Sequence, residues 1–94
     1  MDLKFINELA EIIDFSSVAL GDLISLTKNG ATDFVKEKAC EAMLKHVNVS
    51  SNYILDIYMS KETIFSVKEK CRKALQENRF KNILLLRGID SEKI

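Results

Sequence analysis

The sequence predicts an all-α protein of five to six short helices, with two tandem helical hairpins forming a compact bundle or a short α-solenoid. Three observations predict this class. There is no proline and there are only three glycines, Gly21, Gly30 and Gly88, so little interrupts a helix. Apolar residues recur at spacings of three and four, and the strict alternation of a half-buried strand occurs nowhere over a useful length. A block of sequence also returns: Val35-Lys36-Glu37-Lys38-Ala39 reappears as Val67-Lys68-Glu69-Lys70-Cys71, 32 residues on.

The first helix is expected over residues 3–14, with Leu3, Ile6, Leu9, Ala10 and Ile13 on one face and Phe5, Ile12 and Phe15 widening it. Ser16 or Ser17 is expected to cap a second helix that carries Leu20, Leu23, Ile24 and Leu26 and stops at Asn29-Gly30. Thr32 caps a third helix over 33–46. Ser50 or Ser51 caps a fourth, containing Tyr53, Ile54, Ile57 and Tyr58. After a break at 60–63 a long helix runs over 64–78, and a last segment, 80–87, ends at Gly88, a natural left-handed terminator. Residues 89–94 form a frayed tail. The organisation is one domain, 1–94: an N-terminal helix (1–15), hairpin 1 (16–47), hairpin 2 (50–79) and a terminal helix (80–88).

The repeat extends past the first match. Ala42-Met43 aligns with Ala74-Leu75 at the same offset, and Ser16-Ser17, Leu20, Asp22 and Leu23 align with Ser50-Ser51, Ile54, Asp56 and Ile57 at an offset of 34. A two-residue gap in the turn reconciles the offsets. The unit is a capped helix, a turn and a helix reading V-K-E-K-small-x-x-A-hydrophobic. That second helix resembles the inner helix of HEAT repeats, which often reads V-[RK]-x-x-A-x-x-A-L. Val35, Lys36, Ala39, Ala42 and Met43 fit it, and so do Val67, Lys68, Cys71, Ala74 and Leu75 with Cys for Ala. The resemblance spans residues 16–79 and implies an α-solenoid scaffold that binds partners. A dry seam through Val35, Ala42, Val67 and Ala74 is expected from the repeat.

The chain is 94 residues long, 47% hydrophobic and 30% charged, too apolar for disorder. A chain this short buries only about 60–65% of its unfolded surface, so its core is thin. Formal net charge is zero, which removes any global field toward nucleic acid or membrane. The charges are nevertheless segregated: residues 1–33 carry six acidic and two basic groups, net −4, and residues 34–94 carry eight acidic and twelve basic, net +4. An acidic end and a basic end suit a directional partner or head-to-tail self-association. Cys40 and Cys71 form neither a CxxC pair nor a disulfide framework, so reduced thiols in a cytoplasmic setting are expected. No signal-peptide pattern opens the sequence, and no apolar run approaches the length of a membrane span.

At 100° per residue, Ile64, Val67, Cys71, Ala74 and Leu75 form the apolar stripe of the long helix, and Lys68, Arg72 and Arg79 fall within about 40° of one another beside it. Lys61 and Lys81 extend this basic stripe. It suits phosphates or an acidic protein face, but it also suits a solvated face with local pairs such as Lys73–Glu77. The Ile83–Leu86 run is apolar around most of a helix, with Phe80 and Ile89 at its ends, and Leu85 or Leu86 is left pointing where a partner or second copy covers it. Alternatively, the first helix folds back over that side. One of Tyr53 and Tyr58 is core and the other an interface anchor, and the three methionines need no special role.

Sequence chemistry is sparse. His46 is the only histidine and lies about 240° around its helix from Cys40, so the two cannot share an ion. Cys71 aligns with Ala39, which makes it a packing residue. No nucleophile–base constellation or glycine-rich phosphate loop exists, and no cofactor or metal is expected. The reading is a non-enzymatic adaptor, inhibitor or regulator that binds a larger protein or a second copy through Lys61, Lys68, Arg72, Arg79, Lys81, Phe80, Leu85 and Leu86. The alternative is a nucleic-acid-associated protein using the basic stripe.

Overall fold

A computed structural model describes residues 3–77, 80 and 84–88. Its elements are α1 (Leu3–Ile12), a 3-10 turn (Phe15–Ser17), α2 (Leu20–Asn29), α3 (Asp33–Lys45), α4 (Ser51–Met59) and α5 (Phe65–Leu75). The class is all-α, with no strand among the described residues. The chain divides into two units between Val49 and Ser50.

In the first unit α2 and α3 pack along each other, and α1 and the 3-10 turn pack on α3. Leu23 and Thr27 form the buried face of α2, and Val35, Ala39, Cys40 and Met43 that of α3. These are the four-residue spacings that put side chains on one face of a helix. The Thr27 hydroxyl, buried among them, donates to the Leu23 carbonyl at 2.7 Å, which meets its hydrogen-bonding need within the helix.

Thr32 joins two helices. Its Oγ1 accepts the Val35 N–H at 3.2 Å, capping α3, and donates to Asn7 Oδ1 of α1 at 2.6 Å. Thr32→Ala removes both bonds. We expect a loss of about 0.5–2 kcal/mol in urea unfolding, with Thr32→Ser retaining most of it; a loss within error of zero contradicts the capping role.

The second helix begins later than the serines suggested. Asp14 accepts from the Ser16 N–H and hydroxyl, and the Ser17 hydroxyl donates to the Asp14 carbonyl at 2.8 Å. These local bonds draw the serines into the 3-10 turn. Helix α2 then starts after Ala19, which has no side-chain cap. The α2 stop at Gly30 does not use a left-handed backbone. Gly30 has φ −55°, which any L residue adopts. It is needed because a Cβ there would lie 2.7 Å from the Leu26 carbonyl oxygen.

In the second unit α4 packs on α5. Ser51, Ile54, Leu55 and Ile57 are buried in α4, and Val67, Cys71, Ala74 and Leu75 in α5. Ser50 holds the N-cap position of α4 without a side-chain capping bond. Thr63 Oγ1 donates to the Ile57 carbonyl at 2.6 Å, closing the end of α4 over the turn. Helix α5 ends at Leu75, short of the expected 78. Beyond it Phe80 and Leu84–Leu86 are helical, and Phe80 and Leu84 are buried. Gly88, at φ +74°, is the left-handed terminator that the sequence suggested. Arg87 Nη1 donates to Asn52 Oδ1 at 2.6 Å, tying this end of the segment to α4.

Some aligned repeat positions share their burial and others do not: Leu20 is half-buried where Ile54 is buried, and Ser17 is exposed where Ser51 is buried. Ala39 and Cys71 are both wholly buried, as are Met43 and Leu75, while Leu23 and Ile57 are matched in the first helices. Val35, Val67 and Ala74 are buried and Ala42 is half-buried. Both second helices begin 32 residues apart, at Asp33 and Phe65, but the first helices, Leu20–Asn29 and Ser51–Met59, do not keep the offset of 34 at their ends.

Candidate interaction surface

The turn 60–64 brings the last residues of α4 against the first turns of α5. An open depression of about 300 Å³ results, lined by Tyr58, Met59, Phe65, Lys68, Glu69 and Arg72. Phe65 is 75% exposed and Met59 68%, both high for large apolar side chains. Phe65 lies across α5 from the Val67–Cys71–Ala74 stripe, so packing on α4 cannot cover it.

The polar side of the depression has internal order. Arg72 Nε donates to Glu69 Oε2 at 2.7 Å, a pair one turn apart on α5 with both side chains about one-third exposed. This pair fixes the guanidinium beside the aromatic and thioether groups and neutralises part of its charge. Lys68 lines the same wall. The surface therefore combines apolar area with an excess of one positive charge.

The expected binding residues separate. Lys68 and Arg72 are half-buried in the wall of the depression, and Lys61 is exposed in the turn before α5. Leu85 and Leu86 are exposed, Leu86 at 87%. Phe80 needs correction as a partner anchor: at 4% exposure it is a core residue of the second unit. Arg79 and Lys81 lie outside the described residues, as do Asn78, Ile83 and 89–94. Of the tyrosines, Tyr53 is exposed and Tyr58 half-buried in the depression. Met59 and Phe65 were not singled out by sequence. The available signal was the position of Phe65 off its helix's apolar stripe.

A second concavity, of about 240 Å³, belongs to the first unit and is lined by Ile6, Leu9, Ile13, Phe15, Leu26 and Val35 among others. No polar or charged residue lines it, so it offers shape without chemistry.

His46 ends α3 as its C-cap, and its Nδ1 accepts the Asn48 N–H at 3.1 Å, a structural use of the ring. Cys40 and Cys71 are buried and not in a disulfide. No group of three or more His, Cys, Asp or Glu suited to a metal ion lies together among the described residues, and no helix among them is long and apolar enough to cross a membrane. The chain matches no family model, no curated protein and no solved structure.

Proposed function

We propose that this chain is a non-enzymatic protein-interaction module, a small adaptor, inhibitor or regulator of the cytoplasm that docks onto a larger protein. The observation that carries this reading is the α4–α5 depression, where Met59 and Phe65 stand exposed beside Tyr58 and Arg72. Aromatic residues, Met and Arg are the types enriched at protein interfaces. An isolated apolar side chain on a surface needs no explanation, but several around one concavity mark a binding site. Leu85 and Leu86 add exposed apolar surface to the same unit. The matched burial of Val35 with Val67, Ala39 with Cys71 and Met43 with Leu75 in the second helices supports a HEAT-like scaffold as the frame.

Binding of nucleic acid has weaker support. Arg72 is already paired with Glu69, and a phosphate contact would compete with that carboxylate.

The test is affinity capture from the chain's own cells with wild type and with Met59→Asp/Phe65→Asp, both exposed positions whose change leaves the core intact. Loss of an interface anchor costs about 2 kcal/mol or more, so we expect at least about tenfold less of the captured protein. Circular dichroism must show the same helix content. Equal capture by the two forms overturns the reading.

A further inference from the structure

We propose that the chain associates with a second copy of itself, the outer face of α1 in one copy seating on the α4–α5 depression of the next. Helix α1 has a broad apolar arc with an inner and an outer side. Ala10 is buried on the inner one, where α1 packs on α3. The outer one carries Phe5 and Ile12, both exposed, with Glu8 exposed beside them. Nothing in its own unit covers this face, and Ile12 is 79% exposed.

Charge selects the occupant. Residues 1–49 carry eight acidic and five basic groups, net −3, and residues 50–94 carry six acidic and nine basic, net +3. The acidic apolar face and the basic apolar depression therefore sit in oppositely charged units of one chain. Spacing fits as well. Phe5, Glu8 and Ile12 are at i, i+3 and i+7 of α1, and Phe65, Lys68 and Arg72 are at i, i+3 and i+7 of α5. Each triad covers about 10 Å of helix. Glu8 and Lys68 lie near the middle of their triads, so they meet whichever way the two helices run. One of Phe5 and Ile12 then meets Phe65, and the other lies at the Arg72 end of the depression.

Two like faces do not pair in this way. Depression on depression would oppose Lys68 to itself, since Arg72 is already held by Glu69, and α1 on α1 would oppose Glu8 to itself. The contact is therefore heterologous, head to tail. It needs no other protein, so its failure and that of the docking reading are separate results. Where both hold, the second copy occupies the depression until a larger partner displaces it.

Sedimentation velocity on the purified full chain tests this, from about 10 to about 500 µM and at about 50 and 500 mM salt. We expect the weight-average mass to rise above the monomer with concentration, and the association to weaken at least about tenfold at high salt. Glu8→Lys and Lys68→Glu are each expected to remain monomeric alone and to associate when mixed, because each supplies what the other lacks. Ile12→Asp, at an exposed position, is expected to remain monomeric with unchanged circular dichroism. A monomer over the whole range overturns the proposal, and so does association that neither charge reversal weakens.

Discussion

Leu75→Ala is expected to lower the free energy of unfolding by about 2–5 kcal/mol. Leu75 is the last residue of α5 and is wholly buried. Truncation removes apolar contact and leaves a cavity in a unit whose core rests on a few residues of α4 and α5 together with Phe80 and Leu84. At about 0.05–0.15 kcal/mol per residue, a chain of this size has roughly 5–14 kcal/mol in total, so the change takes a large share. The denaturant midpoint should fall steeply for Leu75→Ala. For Leu86→Ala, whose side chain is exposed, the free energy of unfolding should change by less than about 0.5 kcal/mol. Similar small losses for both would mean that α5 is not packed as described.

Gly30→Ala is expected to cost about 1–3 kcal/mol through crowding alone. The backbone angles at Gly30 pose no obstacle to alanine. The added Cβ, however, would lie 2.7 Å from the Leu26 carbonyl oxygen and 3.0 Å from Val35 Cγ1. The carbonyl belongs to the last turn of α2 and accepts the Gly30 N–H at 2.8 Å, so it cannot withdraw without loosening that bond. Gly21 makes the contrast. It lies within α2 with nothing within 4 Å of its missing Cβ, and Gly21→Ala is expected to stabilise by about 0.5–1 kcal/mol. Thermal or urea unfolding should therefore move in opposite directions for the two changes. A stabilising Gly30→Ala would show that the turn opens freely.

The helical class and several boundaries were legible because they follow from local chemistry. Thr32 caps α3, the break at 60–63 separates α4 from α5, and Gly88 takes the left-handed conformation. The buried face of α5 was legible from periodicity, since Val67, Cys71, Ala74 and Leu75 share one side of the helix. The start of α2 was not, because Asp14 competes for the serines and wins through two-residue hydrogen bonds that composition does not rank. The interaction surface was half legible. Lys68 and Arg72 could be placed on one face, but periodicity says which residues share a face and not which face is left open. Phe65 and Met59 needed the turn between α4 and α5 to bring them together. The burial of Phe80 is hidden from periodicity for the same reason: an apolar residue at the start of a segment reads alike whether packing buries it or leaves it out.

The most direct test of docking is amide hydrogen exchange on the chain, alone and with the protein it captures. Docking at the depression should slow exchange over 58–72, centred on the first turns of α5 where Phe65, Lys68 and Arg72 stand. Protection confined to other residues, or no captured protein at all, would contradict it.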